Sequence, residues 1–421
     1  MTADLETVAP VSHRALFAAG VLLGLLSEQM VAFAIPLLIY QHTNSLAALG
    51  LAFAVEWLPA LIAYPFAGLL ADRDGGRRLF RRTNALRGLV LASAACVVLL
   101  VPSATTVVLM TSGALLSTLS APVRMCIEKL VPQLASGQRL AGTQALVQNM
   151  ELLAMALGPG LAVLGATLLG KVWLLGVASA VFLLAGAAWT PLPRPSRREL
   201  ALTEDSGSGA VLRELRLGLS LLTGTRPVVL LAALNFTINL TLAVVLSVNA
   251  AMITGVFNAP ESALALLNTC VGLIGLINVL LTPVLLRWVR VEALGIAGFT
   301  AICIACVALG AAPSVVLYGA AYVAALAGTA VFNIYNRTQR VLVIPREHLG
   351  KVMGPFYLTN LLSLPIGGLL VALVGSAVGP QGLVAGLAIG LVVVGAVLLP
   401  LTVLSFRRAL ARFTTPERAV A

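Results

Sequence analysis

Long apolar stretches separated by short polar breaks make up almost the whole chain. The stretches are continuous rather than alternating, and each comes close to the roughly 20 apolar residues that an α-helix needs to cross a bilayer. The pattern therefore predicts an all-α membrane protein with twelve transmembrane helices in two six-helix bundles. The predicted helices lie at about 14–40, 46–70, 83–102, 105–127, 139–168 and 171–191 in the first bundle, and at about 226–254, 261–286, 291–311, 314–336, 349–375 and 379–406 in the second.

The composition of the chain agrees with lipid as its solvent. Of its 421 residues, 59% are hydrophobic and 10% are charged, whereas soluble domains have roughly 25% charged residues. No single soluble core accommodates this much apolar sequence, so the chain is expected to lie in a lipid bilayer. The net charge of +11 would suggest nucleic-acid binding in a soluble protein, but the basic residues here have a topological explanation and no nucleic acid is expected.

The basic residues predict the orientation in the membrane. With twelve helices they fall in the two tails and in the loops after the even-numbered helices, and only Lys171 lies on the opposite side. The positive-inside rule makes the basic side cytoplasmic, which predicts a multi-pass protein of the bacterial inner membrane with both termini in the cytoplasm. In this interpretation Arg87, Arg124 and Arg340 belong to the basic loops.

The polar breaks also divide the chain into parts. We expect a cytoplasmic tail at 1–13, a six-helix bundle at 14–191, a cytoplasmic linker at 192–225, a second bundle at 226–406 and a cytoplasmic tail at 407–421. The linker ends in VLRELRLGLSLL, an amphipathic pattern that predicts a helix lying on the membrane surface. RMCIEKLVP, from Arg124, and RTQRVLVIP, from Arg337, occupy equivalent places in the two halves and indicate parallel repeats, as in two-domain secondary transporters.

The loop after the second helix reads GLLADRDGGRRLF, from Gly68 to Phe80. A Gly, an Asp-Arg pair four residues on, another Gly and a basic pair make it resemble the signature that the major facilitator superfamily carries in this loop. One departure is Gly76, where a basic residue is usual. The wider run from Pro36 to Gly88 resembles the branch that contains macrolide-efflux and enterobactin-export proteins. The residues that match the signature are Gly68, Asp72, Arg73, Gly75, Arg77 and Arg78.

The resemblance implies the major facilitator fold, in which two bundles rock about a central cavity. It also implies that Asp72 locks the outward-open state from the cytoplasmic side, with Arg124 and the start of helix 11 near His348 as its partners. The alternative is that the arginines of this loop only set topology, which is the interpretation preferred for Arg81 and Arg82.

Helix 5 contains ALGPG, with Gly158, Pro159 and Gly160 in the middle of the membrane. The segment resembles the antiporter motif that exporters of the superfamily carry in this helix, which favours export as the direction of transport. A Gly-Pro pair also kinks a helix and lets a neighbour approach closely, so a purely structural role is the alternative. A similar LPIGG, from Pro365 to Gly368, occurs in helix 11.

Three carboxylates, Glu28, Glu56 and Glu151, lie about 10–14 residues into their helices, which is near the midplane at about 1.5 Å per residue. A charge at this depth costs at least about 2.5–3.5 kcal/mol on insertion scales, and loss of water favours the protonated carboxyl. No Lys or Arg is expected at the same depth, so no internal ion pair neutralises these acids. In the superfamily helix 1 lines the cavity, so Glu28 with Gln29 is the first candidate for proton coupling, Glu151 the second and Glu56 the third. The alternative for each is a protonated structural residue.

The second half carries amides instead of deep acids. Amides donate and accept hydrogen bonds without the cost of a charge, so they suit a polar, polyfunctional substrate, and they also join helices to one another. With Gln29 of the first half, the candidates for contact with substrate are Asn235, Asn239, Asn333, Asn336, Asn360 and Tyr357, and Asn268 is a further amide of the same kind.

The chain shows no sign of an enzyme or of a bound cofactor. The run from Gly165 to Val172 nearly fits a phosphate-binding loop but lacks the Ser or Thr after Lys171, and no hydrolytic triad or metal cluster is recognisable. The sequence predicts a monomeric secondary transporter that exports amphipathic small molecules, of the drug or antibiotic type, in exchange for protons. Its alternatives are a dedicated siderophore or natural-product exporter, an importer and, from another class, a membrane-embedded enzyme or a non-transporting sensor.

Overall fold

The computed structural model describes residues 11–74, 76–134, 138–192, 208–344 and 349–414, and these residues are almost entirely helical. The connections that lie wholly within the described residues are short turns, and a π-helical turn, Ala251–Val256, extends one helix. In chain order the helices are α1 (Val11–Thr43), α2 (Leu46–Asp74), α3 (Arg77–Leu100), α4 (Thr105–Leu134), α5 (Gln138–Leu169), α6 (Lys171–Ala188), α7 (Ser208–Gly224), α8 (Arg226–Ala250), α9 (Glu261–Trp288), α10 (Val291–Gly310), α11 (Val315–Val343) and a last element, Leu349–Thr414.

The last element contains two helices joined at Gly379. This residue has φ 74° and ψ 162°, a backbone conformation open to glycine and strained for other residues, and Pro380 follows it. We call the segment 349–378 α12 and the segment 380–414 α13. The apolar part of the last element is 60 residues long, and one crossing takes only about 20 residues. Among the described residues eleven elements are long and apolar enough to span a membrane, and the break in the last makes twelve spans, so the predicted fold class is confirmed.

The chain divides into two compact units that exchange short helical stretches. The first unit contains α1, α3–α6, all of α2 except Leu49–Ala54, and the segment Pro260–Leu276 that includes the start of α9. The second unit contains α7, α8, α10–α13, the remainder of α9, and the residues Leu49–Ala54 near the start of α2. Each unit is thus completed by a piece of the second helix of the other half.

Stacked aromatic rings hold together the end of the first unit where α3 begins. The ring centroid of Trp189, just after α6, lies 3.5 Å from that of Phe80 and 5.3 Å from that of Phe17. Arg77 donates from Nε to the main-chain oxygen of Trp189 at 3.0 Å, so a cation meets the negative end of α6. The chain reaches this position through Gly76, whose φ of 86° explains why a basic residue is absent there.

Glycines let the exchanged stretches approach their partners closely. In the first unit, a Cβ added at Gly272 of α9 would lie 2.7 Å from the carbonyl carbon of Met155 in α5. In the second unit, a Cβ added at Gly368 of α12 would lie 2.6 Å from the main-chain nitrogen of Ala54 in α2. Because lipid gives little hydrophobic drive for helix association, such close contacts between helix backbones are a main source of stability.

We expect Gly272→Ala to destabilise the protein, because the added methyl group meets the backbone of α5. Overpacking of this kind costs about 1–3 kcal/mol. The control is Gly390→Ala in α13, where no described atom lies within 4 Å of the added Cβ and the higher helix propensity of alanine operates alone. Thermal unfolding of the purified protein in detergent should show a lower midpoint for Gly272→Ala only, and equal midpoints would contradict the close contact.

Candidate functional site

Glu28 of α1 and Arg87 of α3 form an ion pair inside the first unit. The distance from Arg87 Nη2 to Glu28 Oε2 is 2.9 Å, and the Arg87 side chain is 1% exposed. The guanidinium also lies over the ring of Phe182, 4.1 Å from its centroid. Arg87 is ten residues beyond the start of α3, or about 15 Å along the helix, so the pair is deep in the spanning segment.

Arg124 of α4 connects this pair to a second acid. Its Nη2 lies 3.9 Å from Glu28 Oε1, and its Nη1 lies 3.5 Å from Glu151 Oε1 of α5. Gln148 donates to the other oxygen of Glu151 at 3.4 Å. The Arg124 side chain is 45% exposed, so it is the more accessible of the two arginines. The four charged residues Glu28, Arg87, Arg124 and Glu151 are called the acid–arginine cluster below.

The cluster corrects the expectation that no basic residue accompanies the deep acids. For Glu28 and Glu151 this expectation was wrong, because Arg87 and Arg124 lie inside α3 and α4 rather than in basic loops. Hydropathy places a charge at a helix end because an isolated charge is costly in lipid. Here carboxylates and a phenyl ring offset that cost. The sequence signal that could have indicated these ion pairs is an acid and an arginine at equal depth in different helices.

Glu56 of α2 lies near the cluster but does not join it. Its side chain packs beside Gly113 of α4, and the charge of Glu28 acts on it electrostatically. Among the described residues Glu56 has no hydrogen bond and no ion pair. The acid–arginine cluster contains two acids and two arginines, so the carboxyl of Glu56 is the one whose charge is not balanced.

The glycine motif of α5 lies between two other helices of the first unit. Gly158 packs directly on the side chain of Gln29 in α1, and Gly160 faces Thr269 in α9. Pro159 lies between them within the helix. Gln29, predicted to contact substrate, is therefore in contact with this motif.

The corresponding motif of α12 makes equivalent contacts in the second unit. Gly367 packs on Ala243 of α8, and Gly368 packs on Gly50 and Ala54 of α2. In each half the motif thus touches the first helix of its own half and the second helix of the other half. This agreement supports a packing role and supports the internal repeat.

The predicted gate is only partly within the described residues. The side-chain surroundings of Gly68, Asp72 and Arg73 lie outside them, as do Gly75 and His348. Arg77 is buried against the end of α6, and Arg78 is exposed. Arg124, the expected partner of Asp72, is in the acid–arginine cluster, so the role of Asp72 stays a prediction.

Lys171 forms a second polar contact, at the end of the first unit opposite to Trp189. Its ammonium group at the start of α6 pairs with Glu261 Oε1 at the start of α9 and donates to Gln41 Oε1 of α1 at 2.9 Å. Gln41 Nε2 in turn donates to Glu261 Oε1 at 2.5 Å. The three residues tie together the ends of α1, α6 and α9, and we call them the Lys171 triad.

The structure brings three of the predicted amides together in the second unit. Asn336 of α11 donates from Nδ2 to Asn235 Oδ1 of α8 at 3.0 Å and to Asn333 Oδ1 at 3.4 Å. Three others, Asn239, Asn268 and Asn360, donate instead to main-chain oxygens of their own helices.

Arg340 adjoins these amides and was missed by the sequence reasoning, which placed it in a loop. It is 2% exposed, and its Nε donates to the main-chain oxygen of Asn336 at 3.1 Å. Its guanidinium lies over the ring of Phe356 at 4.1 Å and is 5.6 Å from that of Tyr357, a predicted substrate contact that is 57% exposed.

Known proteins share this architecture. The sequence model of the Major Facilitator Superfamily matches residues 17–354. No curated protein sequence is similar enough to count as a relative. Two structures of a POT family transporter, one in complex with a thioalcohol-conjugated peptide and one with 5-aminolevulinic acid, each have 13% identity and a TM-score of 0.68, covering 93% of this chain and 96% of the other. A variant of the nucleoside transporter NupG has 12% identity and a TM-score of 0.70, covering 94% and 100%. At these identities the likeness shows the fold alone.

We expect Arg87→Met to destabilise the protein strongly, because Glu28 then loses its buried counter-charge. Breaking a buried ion pair on one side typically costs about 3–5 kcal/mol. The double variant Arg87→Met with Glu28→Gln should recover most of the loss, since no buried charge is left alone. Arg82→Met, at an exposed position of the same helix, is the control. Thermal unfolding in detergent measures all three, and a double variant as unstable as the single would contradict the pairing.

Proposed function

Because the chain belongs to the major facilitator superfamily, we propose that it is a secondary transporter that exports amphipathic small molecules by alternating access in exchange for protons. The family and the similar solved structures are transporters, and the chain is a multi-pass membrane protein. Export, proton coupling, and placement in the inner membrane with both termini in the cytoplasm are parts of the proposal. The observation that carries it is the unbalanced carboxyl of Glu56 beside the acid–arginine cluster.

Charge balance supports Glu56 as the proton carrier. With Glu56 protonated, the local charges sum to zero, because two carboxylates face two guanidinium groups. When Glu56 loses its proton, one negative charge is left within the membrane, at a cost of about 2.5–3.5 kcal/mol on insertion scales. The site therefore favours the protonated state except where water or a cation reaches it. If the site opens to each side of the membrane in turn, Glu56 takes up a proton on one side and releases it on the other. This exchange would couple transport to the proton gradient.

The same balance gives Glu28 and Glu151 a different role. Glu28 is held by Arg87 at 2.9 Å and approached by Arg124, while Glu151 is paired with Arg124. A carboxylate that faces a guanidinium keeps its charge more readily than one without a partner. The proposal therefore moves the first choice for coupling from Glu28 to Glu56 and makes the cluster its fixed surroundings.

The Lys171 triad supports alternating access. It joins helices from both halves of the sequence at the end of the first unit away from the acid–arginine cluster, through one ion pair and two hydrogen bonds. A partly exposed ion pair contributes little stability, on the order of 1 kcal/mol or less. Such a contact is strong enough to favour one conformation and weak enough to break in each transport cycle.

The motif of α5 supports export as the direction, through the resemblance of ALGPG to the exporters' motif. A siderophore or natural-product exporter would use the same groups and differ only in its cargo. An importer would use them with the opposite direction of substrate flow, which vesicle assays separate.

We expect Glu56→Gln to uncouple transport from protons while leaving substrate exchange intact. In proteoliposomes, accumulation of an amphipathic anionic dye such as 8-anilino-1-naphthalenesulfonate, driven by an imposed pH gradient, should fall at least tenfold, because the amide cannot carry a proton. Counterflow of the same dye without a gradient should persist. Glu292→Gln, at the start of α10 in the second unit, is the control, because this carboxylate pairs with Arg407 and lies outside the acid–arginine cluster. If Glu56→Gln keeps accumulation while Glu28→Gln or Glu151→Gln loses it in folded protein, the coupling residue is one of the latter two.

We expect a covalent link across the Lys171 triad to stop the transport cycle. The double variant Lys171→Cys with Glu261→Cys, joined by a short bis-maleimide, holds α6 to α9 where the ion pair now lies. Dye transport should then fall to background. Each single variant treated in the same way should keep its transport, which controls for reaction of the bis-maleimide with the native cysteines. Full cross-linking with undiminished transport would show that this contact does not open.

A further inference from the structure

Two arginines, one in each unit, lie in closely similar settings. Arg87 is 1% exposed and Arg340 is 2% exposed, and each guanidinium is centred 4.1 Å from a phenyl ring, that of Phe182 or of Phe356. Arg87 also has the carboxylate of Glu28 at 2.9 Å. Within the residues that the structure describes, no carboxylate pairs with Arg340. The second setting therefore contains the cation and the ring but not the anion.

The contacts of Arg340 do not replace that anion. Its Nε donates to the main-chain oxygen of Asn336, and its Nη1 points to Met353 Sδ at 3.3 Å, a weak acceptor. Its side chain also hydrogen-bonds to the hydroxyl of Tyr357, which is a neutral group and supplies no counter-charge. A guanidinium has five N–H donors in a planar fork that matches two oxygens of a carboxylate, phosphate or sulfonate. A buried charge without a counter-charge is unfavourable, and the aromatic ring compensates it only in part.

Further polar groups lack partners on the two helices that contribute Arg340 and Phe356. Asn336 Oδ1, Gln339 Oε1 and Asn360 Oδ1 are buried and accept no hydrogen bond from any described residue. Arg337, one turn before Arg340 on α11, is exposed and adds a second positive charge. These groups together would receive a molecule with one anionic group and with hydroxyl or N–H donors beside it.

We propose that Arg340 binds the anionic group of the cargo, so that the transporter selects amphipathic organic anions. That the bound molecule is a transported substrate rests on the proposed export function, whereas the binding of an anion at Arg340 does not. Tyr357, which is 57% exposed, lies at the accessible edge of the site and offers its ring to the apolar part of the ligand. An inside-negative membrane potential assists the outward movement of an anion, which agrees with export.

The same anionic chemistry is found in the headgroup of an acidic lipid. Arg340 lies three residues before the end of α11, so a lipid phosphate is a second source of the negative group. The binding experiment therefore needs one arm without acidic lipid and one with it.

The test uses 2-naphthoate and 2-naphthamide, which share a ring and differ in charge. The full chain is placed in nanodiscs of phosphatidylcholine, and binding of each compound is measured by calorimetry. We expect naphthoate to bind at least tenfold more tightly than naphthamide, and Arg340→Gln to remove this difference. Arg287→Gln, an exposed arginine near the end of α9, should leave it unchanged. The comparison of the two compounds in the unaltered protein keeps the test valid if Arg340→Gln does not fold, because it measures the preference for the anion directly.

Three outcomes distinguish the possibilities. If phosphatidylglycerol in the nanodisc displaces naphthoate only when Arg340 is present, the site takes anions and lipid is one of them. If naphthoate binds through Arg340 but is not moved by a pH gradient, the anion site stands and the export proposal fails. Equal binding of the two compounds, or a preference for naphthoate that survives Arg340→Gln in folded protein, would overturn the anion site and leave Arg340 a packing residue.

Discussion

A charge inside a membrane-spanning helix must be balanced locally, and this constraint organises the interior of the protein. The Glu28–Arg87 pair satisfies it most completely, with an oxygen 2.9 Å from a guanidinium nitrogen and a phenyl ring beneath the cation. Arg124 extends the balance to Glu151, so four charges contributed by α1, α3, α4 and α5 hold the first unit at its centre. Because these four charges balance one another, Glu56 is the remaining acid without a counter-charge.

The sequence predicted the fold much better than the site. Hydropathy depends on local composition alone, so twelve spans could be counted, including the break at Gly379, where Pro380 follows a glycine. Ion pairs depend on which helices are neighbours, and Glu28 and Arg87 are far apart in the chain. Arg340 was misplaced for a related reason, since a charge just after the predicted helix end at about 336 looks like a loop residue until its burial is known.

The glycine motifs show how a repeated sequence feature becomes a repeated contact. ALGPG in α5 and LPIGG in α12 could be recognised as similar, but their partners could not be predicted from the letters. Gly158 meets α1 as Gly367 meets α8, and Gly160 faces α9 as Gly368 meets α2. Each motif places a helix backbone where a side chain would otherwise separate it from its neighbour. The repeat is therefore preserved in packing, where the two halves face the same physical demand.

The two halves differ in charge, where their demands are not the same. The first unit contains three deep acids for two arginines, and the second contains a buried arginine and amides with no acid paired to it among the described residues. A surplus acid is suited to a proton, and a surplus guanidinium is suited to an anion. If one repeated unit gave rise to both halves, the common packing was kept while the charges separated into two kinds of site. A proton-coupled exporter of anions needs both kinds, because a protonated carboxyl and a bound anion each remove one uncompensated charge from the membrane.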